Sequence, residues 1–218
     1  MADFKIDEDD LLKENTLSKR DSIFKTSPNW SMNSCLNYDF DMTATYAQGF
    51  KVMAQIGVEA IRINGSHQDT LVYPIVFNFR HHVELLLKIA LKYGYNFLDR
   101  KQGVPKSHDL DLLWKDLNGV LIEVKMKTSE FPDASELKNA KRIINELARL
   151  DPEGESFRYA KKKSGESSID QNLTNLNLES FSEAVEKLSN FLESVGSHLG
   201  HLSDYKNEAE SEMRQMNY

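Results

Sequence analysis

The chain holds a single cysteine, Cys35, in 218 residues. It can form no intramolecular disulfide and no cysteine metal cluster, which points to a reducing, intracellular setting. Cys35 itself reads as a small buried filler rather than a nucleophile. Long apolar runs are missing too. No stretch approaches the roughly 18–20 residues of a membrane span. The N-terminus is acidic where a secretory signal needs a basic and then an apolar stretch, so no signal peptide is expected. There is no phosphate loop, no dinucleotide glycine pattern and no nucleophile elbow. His81-His82 and His198 with His201 are the only histidine pairs. A zinc site needs three or four converging ligands, so neither a metal nor another cofactor is expected. Basic charge is also short: 27 Lys and Arg stand against 34 Asp and Glu, a formal charge of -7. Residues 1–15 carry Asp3, Asp7, Glu8, Asp9, Asp10 and Glu14 against Lys5 and Lys13, which is -4 and leaves -3 for the rest. A mildly acidic body gives no global electrostatic case for nucleic-acid binding. Lys161, Lys162 and Lys163, close to Arg158, are the one obvious basic cluster, and alone they read as a solvated loop.

What is present is concentrated between Tyr73 and Gly94, an apolar helical stretch with an ionisable patch set into it. At about 100° per residue, with Arg80 at zero, Glu84 falls near 40°, Lys88 near 80° and His81 near 100°. Val72, Val76, Phe79, Val83, Leu86 and Ala90 fill the opposite side, and Leu85 and Ile89 widen it. A helix apolar over most of its circumference is buried, so its polar residues belong inside the protein or in a cleft. Buried charges are costly unless paired, and Arg80 with Glu84 and Glu84 with Lys88 are both i,i+4 partners. The patch is therefore either a neutralised structural network or a site.

Periodicity places a helix from Asp41, as N-cap, to the Asn64-Gly65 stop. A second is capped by Asp69 or Thr70, carries Pro74 in its first turns and ends at Tyr93-Gly94. Ser107 caps a short third helix that Asn118-Gly119 breaks. Val120–Lys127 is ambiguous between strand and helix and is read as helix. Asp133 caps a fourth, ended by Asp151-Pro152-Glu153-Gly154. A long last helix runs from about Leu178 past Leu192, with Gly196 and Gly200 as points where it bends or ends. The sum is an all-α bundle of four to five main helices. An acidic, irregular arm (1–38) precedes the helical domain (39–203), and a polar tail (204–218) follows it.

Two constellations could carry chemistry. Arg80, His81, Glu84 and Lys88 are joined by His108, at the start of the third helix with Asp109. A histidine within reach of a fixed arginine suits general acid–base work on a phosphodiester, with Arg or Lys stabilising phosphoryl charge. Arg158-Tyr159 is the second: an arginine beside an aromatic binds phosphate and stacks a base. The structural alternatives are a salt-bridge network for the first and, for the second, a loop anchored in the core by Phe157 and Tyr159 with Arg158 on an acidic helix partner.

A resemblance rests on these residues. The series Tyr46, Gly49-Phe50, Tyr73-Pro74, Arg80-His81, Glu84-Leu85, Lys88, His108-Asp109-Leu110, Leu113-Trp114, Asp151-Pro152 and Phe157-Arg158-Tyr159 resembles bacterial helical proteins of the HEPN (higher eukaryote and prokaryote nucleotide-binding) superfamily, over roughly residues 40 to 195. The resemblance implies a single up-and-down helical bundle, frequent homodimers and, in many members, metal-independent RNA cleavage in toxin–antitoxin or anti-phage defence. The family signature is an arginine, usually followed by a polar residue, with a histidine four to six residues on. Arg80-His81 supplies its beginning, but positions 85, 86 and 87 are all leucine. The literal match, Arg62 to His67, crosses the predicted Asn64-Gly65 turn.

The enzymatic expectation is a cytoplasmic, dimeric ribonuclease or nucleotide-acting protein. Arg80 and Lys88 would hold phosphate and His81 or His108 would act as acid or base. Glu84 would orient one of the histidines, while Asp109, Arg158 and Tyr159 would bind substrate. The alternative expectation is a non-catalytic module that binds nucleotide, RNA or a protein, the last through its acidic N-terminal arm. A purely structural role would require the Arg80 cluster to be closed to solvent with its charges paired.

Overall fold

A computed structural model describes Lys19, residues 21–128 and residues 132–216. The acidic stretch 1–15 lies outside these residues. The chain divides into two units, 1–40 and 41–218. In the first, the described residues form one 3-10 turn, Trp30–Met32, bracketed by a reciprocal pair of hydrogen bonds between Ser27 and Asn33. Cys35, expected as a buried filler, is exposed; it follows the turn in irregular chain with no helix face to carry it inward.

The second unit is the expected all-α bundle. Its five helices are α1 (Thr43–Asn64), α2 (Gln68–Phe97), α3 (Leu110–Thr128), α4 (Ala134–Leu150) and α5 (Leu178–Met216). α2 is the central helix and packs against α1, α3 and α5, while α4 covers α3 and α5. Ile75, Phe79, Val83, Leu87 and Leu91 of α2 meet Leu113, Leu117 and Val120 of α3 and Val185, Leu192 and Leu199 of α5 in one core. Helix ends follow local chemistry. The N-cap of α1 is Met42 rather than the expected Asp41; Asp41, one residue earlier, accepts from the Thr43 amide at 2.9 Å and from Lys92 at 2.5 Å, so it satisfies the first helical amide and ties α1 to α2. Gly65 closes α1 in the left-handed conformation. Asp133 caps α4 through the Ser135 amide.

Four further boundaries differ from the expectation. α2 starts at Gln68, one residue before the expected caps, because His67 takes a left-handed φ of 67° and turns the chain directly into the helix. It then runs past Gly94 to Phe97. Gly94 is a packing residue rather than a stop: a Cβ there would lie 2.4 Å from Val120 Cγ1 of α3. α3 likewise runs through Asn118-Gly119, because Leu113, Leu117, Val120, Leu121 and Val124 form one buried stripe. Burial of that stripe outweighs the roughly 1 kcal/mol a mid-helix glycine costs. The polar residues 204–216 continue α5, and neither Gly196 nor Gly200 ends it.

Helix directions explain how the central patch is completed. Gly57 packs on Ile75, and Ala47 faces His82, so α1 and α2 are antiparallel. α2 and α5 are parallel, since His82 meets Ser189 and Lys206 donates to the Phe97 carbonyl. α2 and α3 are parallel as well, with Glu84 beside His108 and Gly94 beside Val120. Up-down alternation therefore pauses at α2–α3. The return segment 98–109 runs back along α2 and delivers His108 to its middle.

Candidate functional site

Arg80 sits in mid-α2, where its charge interrupts an apolar surround. It is 1 % exposed, Glu84 is 1 % exposed and Asp151 is fully buried. An arginine so placed must find acceptors for its donors, and it does. Nη1 donates to Glu84 Oε2 at 2.5 Å, Nε donates to the Asp151 carbonyl at 3.3 Å, and Nη2 donates to the His108 carbonyl. The Asp151 carboxylate adds an ion pair at 3.7 Å from Nε and accepts from the Ser156 amide at 2.9 Å. Gly154, at φ 74°, lies flat on the guanidinium; a Cβ there would stand 3.1 Å from Nη1. The turn after α4 is thus a cover over Arg80.

Glu84 is the hub. Its Oε1 accepts from Lys88 at 2.8 Å and contacts His108 Nδ1 at 2.9 Å. His81 Nδ1 is 3.9 Å from Oε2. Burial pushes the Glu84 carboxyl upward, but His81, Lys88 and Arg80 outweigh it and hold the group far below the ordinary carboxylate range. With neutral histidines, Arg80 and Lys88 balance Glu84 and Asp151, so the cluster carries no net charge. His108 differs from the rest, with a side chain 63 % exposed. A carboxylate partner requires the proton on Nδ1, which leaves Nε2 as the free ring nitrogen.

His81 stacks on Phe77 with ring centroids 5.8 Å apart and meets Phe50 edge-on at 4.6 Å. The Arg158 guanidinium lies 5.5 Å from the Phe77 ring centre and 5.3 Å from that of Tyr159. Arg158 Nε donates to the Gly154 carbonyl at 3.0 Å. Gly154 is therefore the common wall between the two arginines. Arg158 has a 39 % exposed side chain, and with Tyr159 it lines a cleft of about 790 Å³ between the start of α2 and residues 156–178. Asp69, Tyr73, Asp170 and Asn175 line it as well. Phe157 is buried and packs on Tyr73, one of the two core anchors expected of this loop, whereas Tyr159, the other, is exposed at the cleft.

The structure thus brings Arg80, His81, Glu84, Lys88 and His108 together, and sets Arg158 and Tyr159 on the far side of Gly154. Asp109 uses its carboxylate to cap α3, accepting from the Asp111 and Leu112 amides; Ser107, the expected cap, accepts from Asp109 instead. Arg62 pairs with Glu59 and Glu179, and His67 occupies the α1–α2 turn. Among the described residues no group of three or more His, Cys, Asp or Glu side chains is placed to hold a metal, and no helix is long and apolar enough to cross a membrane. Asp151, Gly154 and Phe77 were absent from the sequence-derived site. The sequence signals for the first two were the Asp151-Pro152-Glu153-Gly154 turn and the place of Asp151-Pro152 in the resemblance series.

Compared with known proteins, the chain matches no family model, no curated protein and no solved structure.

Proposed function

We propose that this chain is a HEPN-like helical module that takes up a nucleotide or a short single-stranded RNA segment at the Arg158–Tyr159 cleft, with the Arg80 network as its internal clasp. One observation carries the reading: every Arg80 nitrogen is engaged in the buried interior, whereas Arg158, held by the Gly154 carbonyl and the exposed Glu155, opens onto a cleft beside an exposed aromatic ring. A guanidinium and an adjacent ring offer a phosphate contact and a stacking platform. Titration of fluorescently labelled single-stranded RNA and of nucleoside triphosphates tests it. Arg158→Ala and Tyr159→Ala are each expected to weaken binding about tenfold or more with an unchanged melting temperature. Affinities equal to wild type would overturn the reading.

A second reading, metal-independent RNA cleavage in a defence context, is favoured by one contact. Glu84 orients an exposed His108, whose outer nitrogen then stands as a general base. Cleavage of mixed RNA and tRNA in the presence of chelator, lost in a folded His108→Ala variant, is its expected signature.

The module is proposed to work as a homodimer. Tyr46, Met53, Ile56 and Ile63 are exposed along α1. With Gly49 and Ala60 they follow the three–four spacing of a helix-pairing seam. Met53→Lys with Ile56→Lys is expected to leave a monomer by light scattering. The acidic segment 1–15 is proposed as a separate protein-docking arm, and its deletion is expected to remove partner binding without changing the stability of the body.

A further inference from the structure

His82, the inward-facing member of the His81-His82 pair, joins three helices. It is 1 % exposed. Its Nδ1 is 2.9 Å from the Ala47 carbonyl of α1 and its Nε2 is 2.8 Å from Ser189 Oγ of α5. Ser189 Oγ also lies 3.0 Å from Glu193 Oε1, and that same oxygen takes Lys51 Nζ at 2.9 Å.

The three contacts from Ala47 through His82 and Ser189 to Glu193 need three hydrogens. A carbonyl and an ionised carboxylate only accept, so imidazole and hydroxyl must supply them all. A neutral imidazole and a hydroxyl bring two. The hydroxyl then satisfies either His82 Nε2 or Glu193, and the other contact is left without a proton. An imidazolium and a hydroxyl bring three, and every contact is filled.

We propose that His82, Ser189 and Glu193 form a proton-responsive clasp. Uptake of one solvent proton at His82 Nε2 turns the Ser189 hydroxyl from His82 to Glu193, and a continuous donor chain then links α1, α2 and α5. No covalent bond other than the new N–H changes. The charged groups facing the ring are Lys51 from α1, which opposes the imidazolium, and Glu193 from α5, which favours it. Glu186, further along α5, is held by Gln55 of α1. Burial pushes His82 below the ordinary histidine value, the Ala47 carbonyl and Glu193 pull it back, and Lys51 lowers it. The clasp is therefore neutral near pH 7 and responds on acidification.

Nuclear magnetic resonance of the full chain, following the His82 ring nitrogens through an acid titration, tests this. The expected result is an Nδ1–H tautomer at neutral pH that becomes doubly protonated while the helices remain folded. Glu193→Gln, at a partly exposed position, is expected to weaken proton uptake about threefold or more, the Coulomb contribution of one charge across the serine. Ser189→Ala should weaken it in the same direction. An Nε2–H tautomer at neutral pH, a ring still neutral when the fold is lost, or a Glu193→Gln variant that titrates as wild type would each overturn the proposal.

Discussion

Arg80 and Arg158 face opposite sides of one glycine, and their surroundings could hardly differ more. Arg80 has a carboxylate, two backbone carbonyls and a second carboxylate around it, and no solvent. Arg158 leans on two rings and one carbonyl, pairs at 3.6 Å with the half-exposed Glu155 carboxylate, and keeps over a third of its side chain in solvent. Clustering of ionisable residues is therefore not itself a mark of function. A guanidinium carried into an apolar helix must be matched group by group, and the matching removes it from ligands. The neighbour on the same turn keeps part of its side chain open to solvent.

Breaking the closed side should have the largest effect. Glu84→Leu strands Arg80 beneath Gly154 and is expected to cost about 3–5 kcal/mol in urea unfolding. Gly94→Ala forces a methyl onto Val120 of the helix that follows His108, and about 1–3 kcal/mol should be lost. Acid should open the same side. Glu84 has a folded pKa held below its ordinary 4.5, so its contribution is fully present above that pH and disappears as pH falls below it toward the folded value. Glu84→Gln should flatten this part of the stability–pH curve. A control comes from Gly119, where nothing lies within 4 Å of an added Cβ; Gly119→Ala is expected to stabilise the protein by up to about 1 kcal/mol. On the open side, Arg158→Ala should change stability by less than about 0.5 kcal/mol while weakening ligand binding.

Much of this was legible in the sequence where a single helix decides. The quadrant of Arg80, Glu84, Lys88 and His81 follows from 3.6-residue periodicity, and the pairing of Glu84 with both cations follows from i,i+4 spacing. The Asp133 cap and the Gly65 stop are local for the same reason. What escaped depends on contacts between distant segments. Gly94 and Gly119 look alike in sequence, yet one admits a neighbouring helix and the other faces open space. Asp151 read as the end of a helix, and only the path of the turn over α2 makes its carbonyl and carboxylate partners of Arg80. His81 and His82 are adjacent in sequence but about 100° apart on the helix, so one meets Phe77 and the other the α1–α5 junction.

Arg80 is proposed to hold the fold and Arg158 to hold the ligand. Arg80→Met and Arg158→Ala, compared side by side by chemical denaturation and by RNA or nucleotide titration, test it most directly. Arg80→Met is expected to lose about 3 kcal/mol or more of stability, and Arg158→Ala to keep its stability and lose affinity. A stable Arg80→Met protein that has lost binding or cleavage, beside an Arg158→Ala protein that retains both, would contradict the account.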